Sequence, residues 1–254
     1  MADQASETHF IGPMGSEFWQ IRVPPELVPA LAREFDWNRL GRRVLVDARA
    51  GIIAWMSPAS THEVLAEETD AIVLAAGQII KGGVWGMRGT RWKRPEDPRN
   101  TGLEADASYY IGAKAEQWFA LTEKIHNGEL APAARADFAA ITPPDLVVEV
   151  EITNLDKDKP ARYARLGVRE LWQVNRKQDQ TKIEVTILEL QKPGGAMMVR
   201  QSRVLPGLRV DALPRAYQLA GVGKFAELQT LLQTELVAPS TVQKAEPPRR
   251  GPRM

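Results

Sequence analysis

Pro144-Asp145-Leu146-Val147-Val148-Glu149-Val150-Glu151-Ile152 decides the fold, because its acids and aliphatic residues alternate with the period of a β-strand. Side chains two apart share a face, so Leu146, Val148, Val150 and Ile152 line a core while Asp145, Glu149 and Glu151 point the other way. Glu149 and Glu151 then stand about 7 Å apart at Cα and repel each other unless water or a cation intervenes. Taken alone, such alternation describes a half-exposed strand whose polar face meets solvent. A divalent cation would also relieve the crowding.

Downstream of this strand, residues 154–158 form a turn into a short helix with Pro160 in its first turn and Gly167 at its end. Glu170-Leu171-Trp172-Gln173-Val174-Asn175 follows as a strand, so 144–175 reads as a strand, helix, strand unit. That unit predicts an α/β domain with a partly parallel sheet. Further strands are expected over 182–190 and 197–204, and a last helix over 224–236.

Upstream, a helix over 25–35 precedes a β-hairpin of 43–47 with 51–56. Ser60 or Thr61 then caps a helix on which Leu65, Ile72, Ala76 and Ile79 form one apolar stripe, with Glu63, Glu67 and Asp70 on a solvated face. Gly82-Gly83 is expected to end it. A loop over 88–100 gathers Arg88, Arg91, Lys93, Arg94 and Arg99 around Trp92, and a strand over 104–111 puts Glu104, Asp106, Ser108 and Tyr110 on one face. Residues 113–140 read as a helical insertion broken near Gly128.

Composition narrows the chemistry. A chain of 254 residues with 44% hydrophobic and 26% charged residues can bury one full core. Zero cysteines exclude disulfides, cysteine-ligated clusters and thiol catalysis, and His9, His62 and His126 are too few for a histidine-rich zinc site. A metal would sit on oxygen ligands. A net charge of +1 gives no global pull towards a polyanion, so nucleic-acid binding must come from local clusters. Ala71-Ile72-Val73-Leu74-Ala75-Ala76 is far shorter than a membrane span, and a cytoplasmic protein is expected.

Phosphodiester hydrolysis needs a metal to neutralise phosphate charge and to lower the pKa of the attacking water, and Mg²⁺ prefers carboxylate and carbonyl oxygens. Asp106 and Glu149 could hold one such ion if their strands are neighbours, with the carbonyl of Val150 as third ligand. Lys159, ten residues beyond Glu149, could fold back to hold water or stabilise developing charge.

Pro143-Pro144-Asp145-Leu146-Val147-Val148-Glu149-Val150, then Asp158-Lys159, Tyr163, Leu166-Gly167-Val168 and Glu170-Leu171-Trp172, resembles the bacterial Uma-two family of proposed endonucleases, within the PD-(D/E)xK superfamily. Met56-Ser57-Pro58 with His62-Glu63, Gly102-Leu103-Glu104-Ala105-Asp106 with Ser108-Tyr109-Tyr110-Ile111, and Leu205-Pro206-Gly207-Leu208 extend the likeness over residues 40–210. Order and spacing carry it, rather than any single motif.

The resemblance implies a restriction-endonuclease-like core, a mixed β-sheet flanked by helices, over residues 21–237. Segments 1–20 and 238–254 are then a flexible start and a basic, proline-rich tail. It implies Asp106 and Glu149 as metal-binding acids, Lys159 as the displaced lysine and Glu63 as a helix carboxylate near the site, with Asp145 secondary. Ala105 stands where proline often precedes the first acid, and Glu151 occupies the lysine position of the ExK signature. Glu151 is therefore a second candidate as carboxylate base or outer ligand.

The expected activity is a Mg²⁺-dependent DNA endonuclease, with Mn²⁺ as an alternative ion. Arg88, Arg91, Lys93 and Arg94 would contact phosphates; DNA is the expected partner, a homodimer an option, a membrane excluded. The alternatives are a catalytically degenerate nuclease fold serving as a nucleic-acid-binding or protein-interaction module, and a metal-dependent hydrolase with another substrate.

Overall fold

The computed structural model describes residues 6–11, 17–28, 30–31, 43–47, 49–57, 60–87, 91–93, 102–151, 158–176, 182–191 and 194–237. Among them, twelve strands form two six-stranded sheets. The first joins β1 (Ser6–Ile11), β2 (Glu17–Arg22), β3 (Arg43–Asp47), β4 (Ile52–Ser57), β6 (Arg91–Lys93) and β7 (Gly102–Glu104) in the order β1-β2-β4-β3-β7-β6. The second joins β5 (Val84–Gly86), β8 (Ala107–Ile111), β9 (Leu146–Glu151), β10 (Glu170–Arg176), β11 (Ile183–Gln191) and β12 (Gly195–Val199) in the order β12-β11-β10-β9-β8-β5. β9 and β10 are parallel and every other pairing in this second sheet is antiparallel.

Mixed pairing follows from connection length. The parallel pair is bridged by helix α4 (Lys159–Leu166), whereas shorter connections join β10, β11 and β12 as an antiparallel meander. α4 starts with Pro160 in its first turn and stops at Gly167, whose φ of 93° closes the helix in the left-handed region. The fold class expected from the sequence, a mixed sheet flanked by helices, is the one found.

Helices cover both faces of the second sheet. On one face α1 (Ser60–Gly77), α5 (Leu213–Gly221) and α6 (Phe225–Val237) pack Leu65, Ile72, Ala76, Tyr217, Leu228 and Leu232 against Val148, Val150, Trp172 and Ile187. On the other, Tyr163 and Ala164 of α4 meet Leu103, Ala105, Val147 and Leu171. Helices α2 (Ala113–His126) and α3 (Ala134–Ile141), separated at Gly128, add an aromatic cluster of Trp92, Tyr110, Trp118 and Phe138.

Several expectations change. Residues 104–111 are two strands in different sheets, β7 and β8, because the chain crosses between sheets at the fully buried Ala105 and the bend at Asp106. Helix α1 ends at Gly77 rather than at Gly82-Gly83: a Cβ at Gly77 would lie 2.7 Å from the Val84 Cβ, so the returning chain packs there. The last strand closes at Val199 instead of running to 204. Helix α5 occupies a stretch for which the sequence reading names no element, and Pro214 belongs to its first turn. The segment expected as a flexible start carries β1 and β2, paired over six residues each. The basic tail over 238–254 lies outside the described residues.

Candidate active site

The acidic face of β9 does not meet solvent. Glu149 is 1% exposed and Asp145 2%, so the half-exposed strand suggested by alternation alone is replaced by one covered on both faces. The reason is α4, whose Tyr163 and Ala164 close over Val147 in the middle of that face. A buried carboxylate must find donors or shed its charge.

Glu149 finds two, both on α4. Lys159 donates from Nζ to Oε2 at 2.6 Å, and Tyr163 donates its hydroxyl to Oε1. Lys159 and Tyr163 are four apart, so one helical face presents both to one carboxylate. Lys159, ten residues beyond Glu149 in sequence, thus lies against its carboxylate. The i, i+4 spacing from Lys159 is the signal in the sequence that points to Tyr163.

Asp106 arrives from the neighbouring strand. β8 pairs with β9 from Ala107↔Val148 onward, and Asp106 is the bend that immediately precedes this pair. There its Oδ2 accepts the Val150 N–H at 2.5 Å, so the carboxylate is anchored on the backbone next to Glu149. Asp106, Glu149 and Lys159 are thus brought to one end of β9, with Asp106 and Glu149 both buried.

Asp145 occupies the other end of the strand, about 13 Å away at strand rise. Its carboxylate accepts the Ile111 N–H at 3.0 Å and pairs with Lys114 at 3.1 Å and Arg169 at 3.6 Å. Burial, with Asp145 beside it, pushes the Tyr110 phenol above its ordinary value. Glu63 is exposed in the first turn of α1, a helix packed on the face opposite Glu149. Of Glu151, Arg91 and Lys93 only the backbone is described, the last two within β6, and Arg88 and Arg94 lie outside the described residues.

Gln173 and Asn175 were not singled out beforehand. The parallel register Gln173↔Glu149 and Asn175↔Glu151 puts them on the same face as the acids, and the buried Asn175 Oδ1 has no hydrogen-bond partner among the described residues. Their signal in the sequence is the same alternation, read one strand later.

The donor set is one of hard oxygens. Among the described residues no group of three or more His, Cys, Asp or Glu side chains gathers as a metal site. The Asp106 and Glu149 pair fits Mg²⁺ on the chemistry of its donors, since that ion commonly takes one or two protein carboxylates and keeps several waters.

Residues 36–219 match the model of the Uma2 family, described as "Putative restriction endonuclease". The chain belongs to the Uma2 family. The match takes in β9, α4, β10 and the bend at Asp106, so every acid discussed above lies within it. Among solved structures, a "putative nuclease belonging to DUF820" from Anabaena variabilis is similar at 13% identity, over 69% of this chain and 83% of that one, with a TM-score of 0.35. A comparison with curated proteins found no match. No helix among the described residues of this Uma2 protein is long and apolar enough to cross a membrane.

Proposed function

We propose that the protein is a Mg²⁺-dependent endonuclease that hydrolyses DNA phosphodiester bonds at the Asp106, Glu149 and Lys159 end of β9. One observation carries this reading: Glu149 is buried with an ammonium group 2.6 Å from its carboxylate, and Asp106, also buried, accepts the N–H of the next residue, Val150. Membership of a family described as restriction endonucleases supports the reaction class.

Asp106 and Glu149 would hold the ion, with the carbonyl of Val150 as third ligand and Mn²⁺ as a substitute. When bound, it would neutralise phosphate charge and acidify a water molecule. Lys159, held against Glu149, would orient that water or stabilise charge developing on the phosphate. Glu63 would assist from the start of α1, Arg88, Arg91, Lys93 and Arg94 would contact the DNA backbone, and Asp145 and Glu151 would be secondary.

The test is incubation of the full chain with supercoiled plasmid and Mg²⁺ or Mn²⁺, with and without excess chelator, beside Asp106→Ala and Glu149→Ala. Chelator-sensitive nicking or linearisation lost in both variants is expected. Cleavage unchanged in both variants would sink the assignment.

Glu151 at the ExK lysine position favours a second reading, a catalytically degenerate fold that binds nucleic acid or a protein partner. Its outcome in the same assay is intact plasmid under every metal, with DNA binding that weakens as salt rises.

A further inference from the structure

We infer that Tyr163 is a positioning residue for Glu149, fixing the plane of the carboxylate that the site uses; this rests on Glu149 being the site acid. The Tyr163 side chain is fully buried, and its ring is wedged among Val147, Ala164, Val168 and Leu171. Packing therefore sets where its hydroxyl lies, and that hydroxyl donates to Oε1 of Glu149. Lys159 takes Oε2 from one turn earlier on the same helix, so the two donors grip the two oxygens from one rigid element. Each carboxylate oxygen still has a second acceptor direction, which the grip aims without using up.

The choice of a neutral donor matters. A second lysine in place of Tyr163 would add a positive charge beside Glu149 and oppose the binding of a cation. At Asp145, by contrast, two cations attend one acid. A hydroxyl orients Glu149 while leaving the site attractive to a divalent ion. Groups that hold metal-binding side chains in place commonly contribute about 10 to 100-fold to metal affinity or activity.

The experiment compares Tyr163→Phe and Glu149→Gln with the unaltered full chain in three measurements: Mn²⁺ binding by titration calorimetry, plasmid cleavage resolved into kcat and KM, and thermal melting. Phe keeps the buried ring and removes only the donor. The expected result for Tyr163→Phe is Mn²⁺ binding weakened about tenfold and kcat lowered about 10 to 100-fold. KM for DNA should stay within about twofold and the melting temperature within about 4 °C. Unchanged Mn²⁺ binding and kcat in Tyr163→Phe, with both lost in Glu149→Gln, would overturn the positioning role alone. Both retained in Glu149→Gln would remove the site reading and the inference with it. A melting temperature lowered by more than about 10 °C, far beyond what one hydrogen bond supplies, would assign Tyr163 to the core and also overturn the inference.

Discussion

Asp145 and Glu149 belong to one strand face, are equally buried, and have opposite surroundings. Asp145 is attended by Lys114, Arg169 and the Ile111 N–H, so positive groups outnumber it and its carboxylate is consumed in joining β8, α2 and the start of β10. Among the described residues, Glu149 has one cation, Lys159, and one neutral donor, Tyr163, while a second acid, Asp106, accepts the N–H of the next residue, Val150. Glu170 is a third pattern: fully buried, it accepts from Trp172 Nε1, Ser202 Oγ and the Arg203 N–H, so its role is to tie β10 to the segment after β12.

The largest expected contrast is in cleavage. Glu149→Gln should lose at least about a hundredfold, more than supporting residues usually cost, whereas Asp145→Asn should stay within about threefold. Plasmid cleavage under Mg²⁺ measures both, and equal losses would erase the distinction drawn between the two ends of β9. Next come the lysines: Lys159→Ala should lower kcat about 10 to 100-fold, while Lys114→Ala leaves it unchanged.

Stability should run the other way. Asp145→Ala strands the buried Ile111 N–H and should cost about 1–3 kcal/mol in urea unfolding. Lys114→Ala, whose side chain is partly exposed, should cost about 1 kcal/mol or less. A cost for Asp145→Ala below that of Lys114→Ala would show that the burial of Asp145 matters less than its geometry implies.

The smallest effect sharpens the comparison from a further buried acid. Glu68 on α1 is 7% exposed, and among the described residues its Oε2 has no hydrogen-bond partner, with Arg176 3.6 Å away. Burial outweighs Arg176 and holds its carboxyl above the ordinary value of 4.5. A raised folded-state pKa means that its contribution to stability is fully present below the unfolded value and is lost as pH rises through the folded one. Glu68→Gln should therefore gain stability relative to the unaltered chain as pH rises from about 4 to 7, read as the difference between their melting temperatures. A difference that is flat or shrinks with pH would contradict this.

Much of the fold is legible in residue order because its elements follow local rules. Alternation in 144–152, the Pro160 and Gly167 pair around α4, and the stripe of Leu65, Ile72 and Ala76 each report a period or a cap that the chain carries by itself. The break at Ala105-Asp106 does not, because a strand that changes sheets keeps its alternation while its partners change. Helix α5 is not legible either, because the effect of Pro214 depends on whether it falls inside a helix or in its first turn.

The sequence by itself determined that Asp145, Glu149 and Glu151 share one side of a strand and that Lys159 begins the next helix. Tertiary structure decided what surrounds each acid. α4 folds back over the strand, turns a nominal solvent face into a buried one, and hands Glu149 a lysine and a tyrosine, while α2 and the start of β10 hand Asp145 two cations. Period is a property of neighbours along the chain; the balance of charge around a carboxylate depends on groups that only folding brings together.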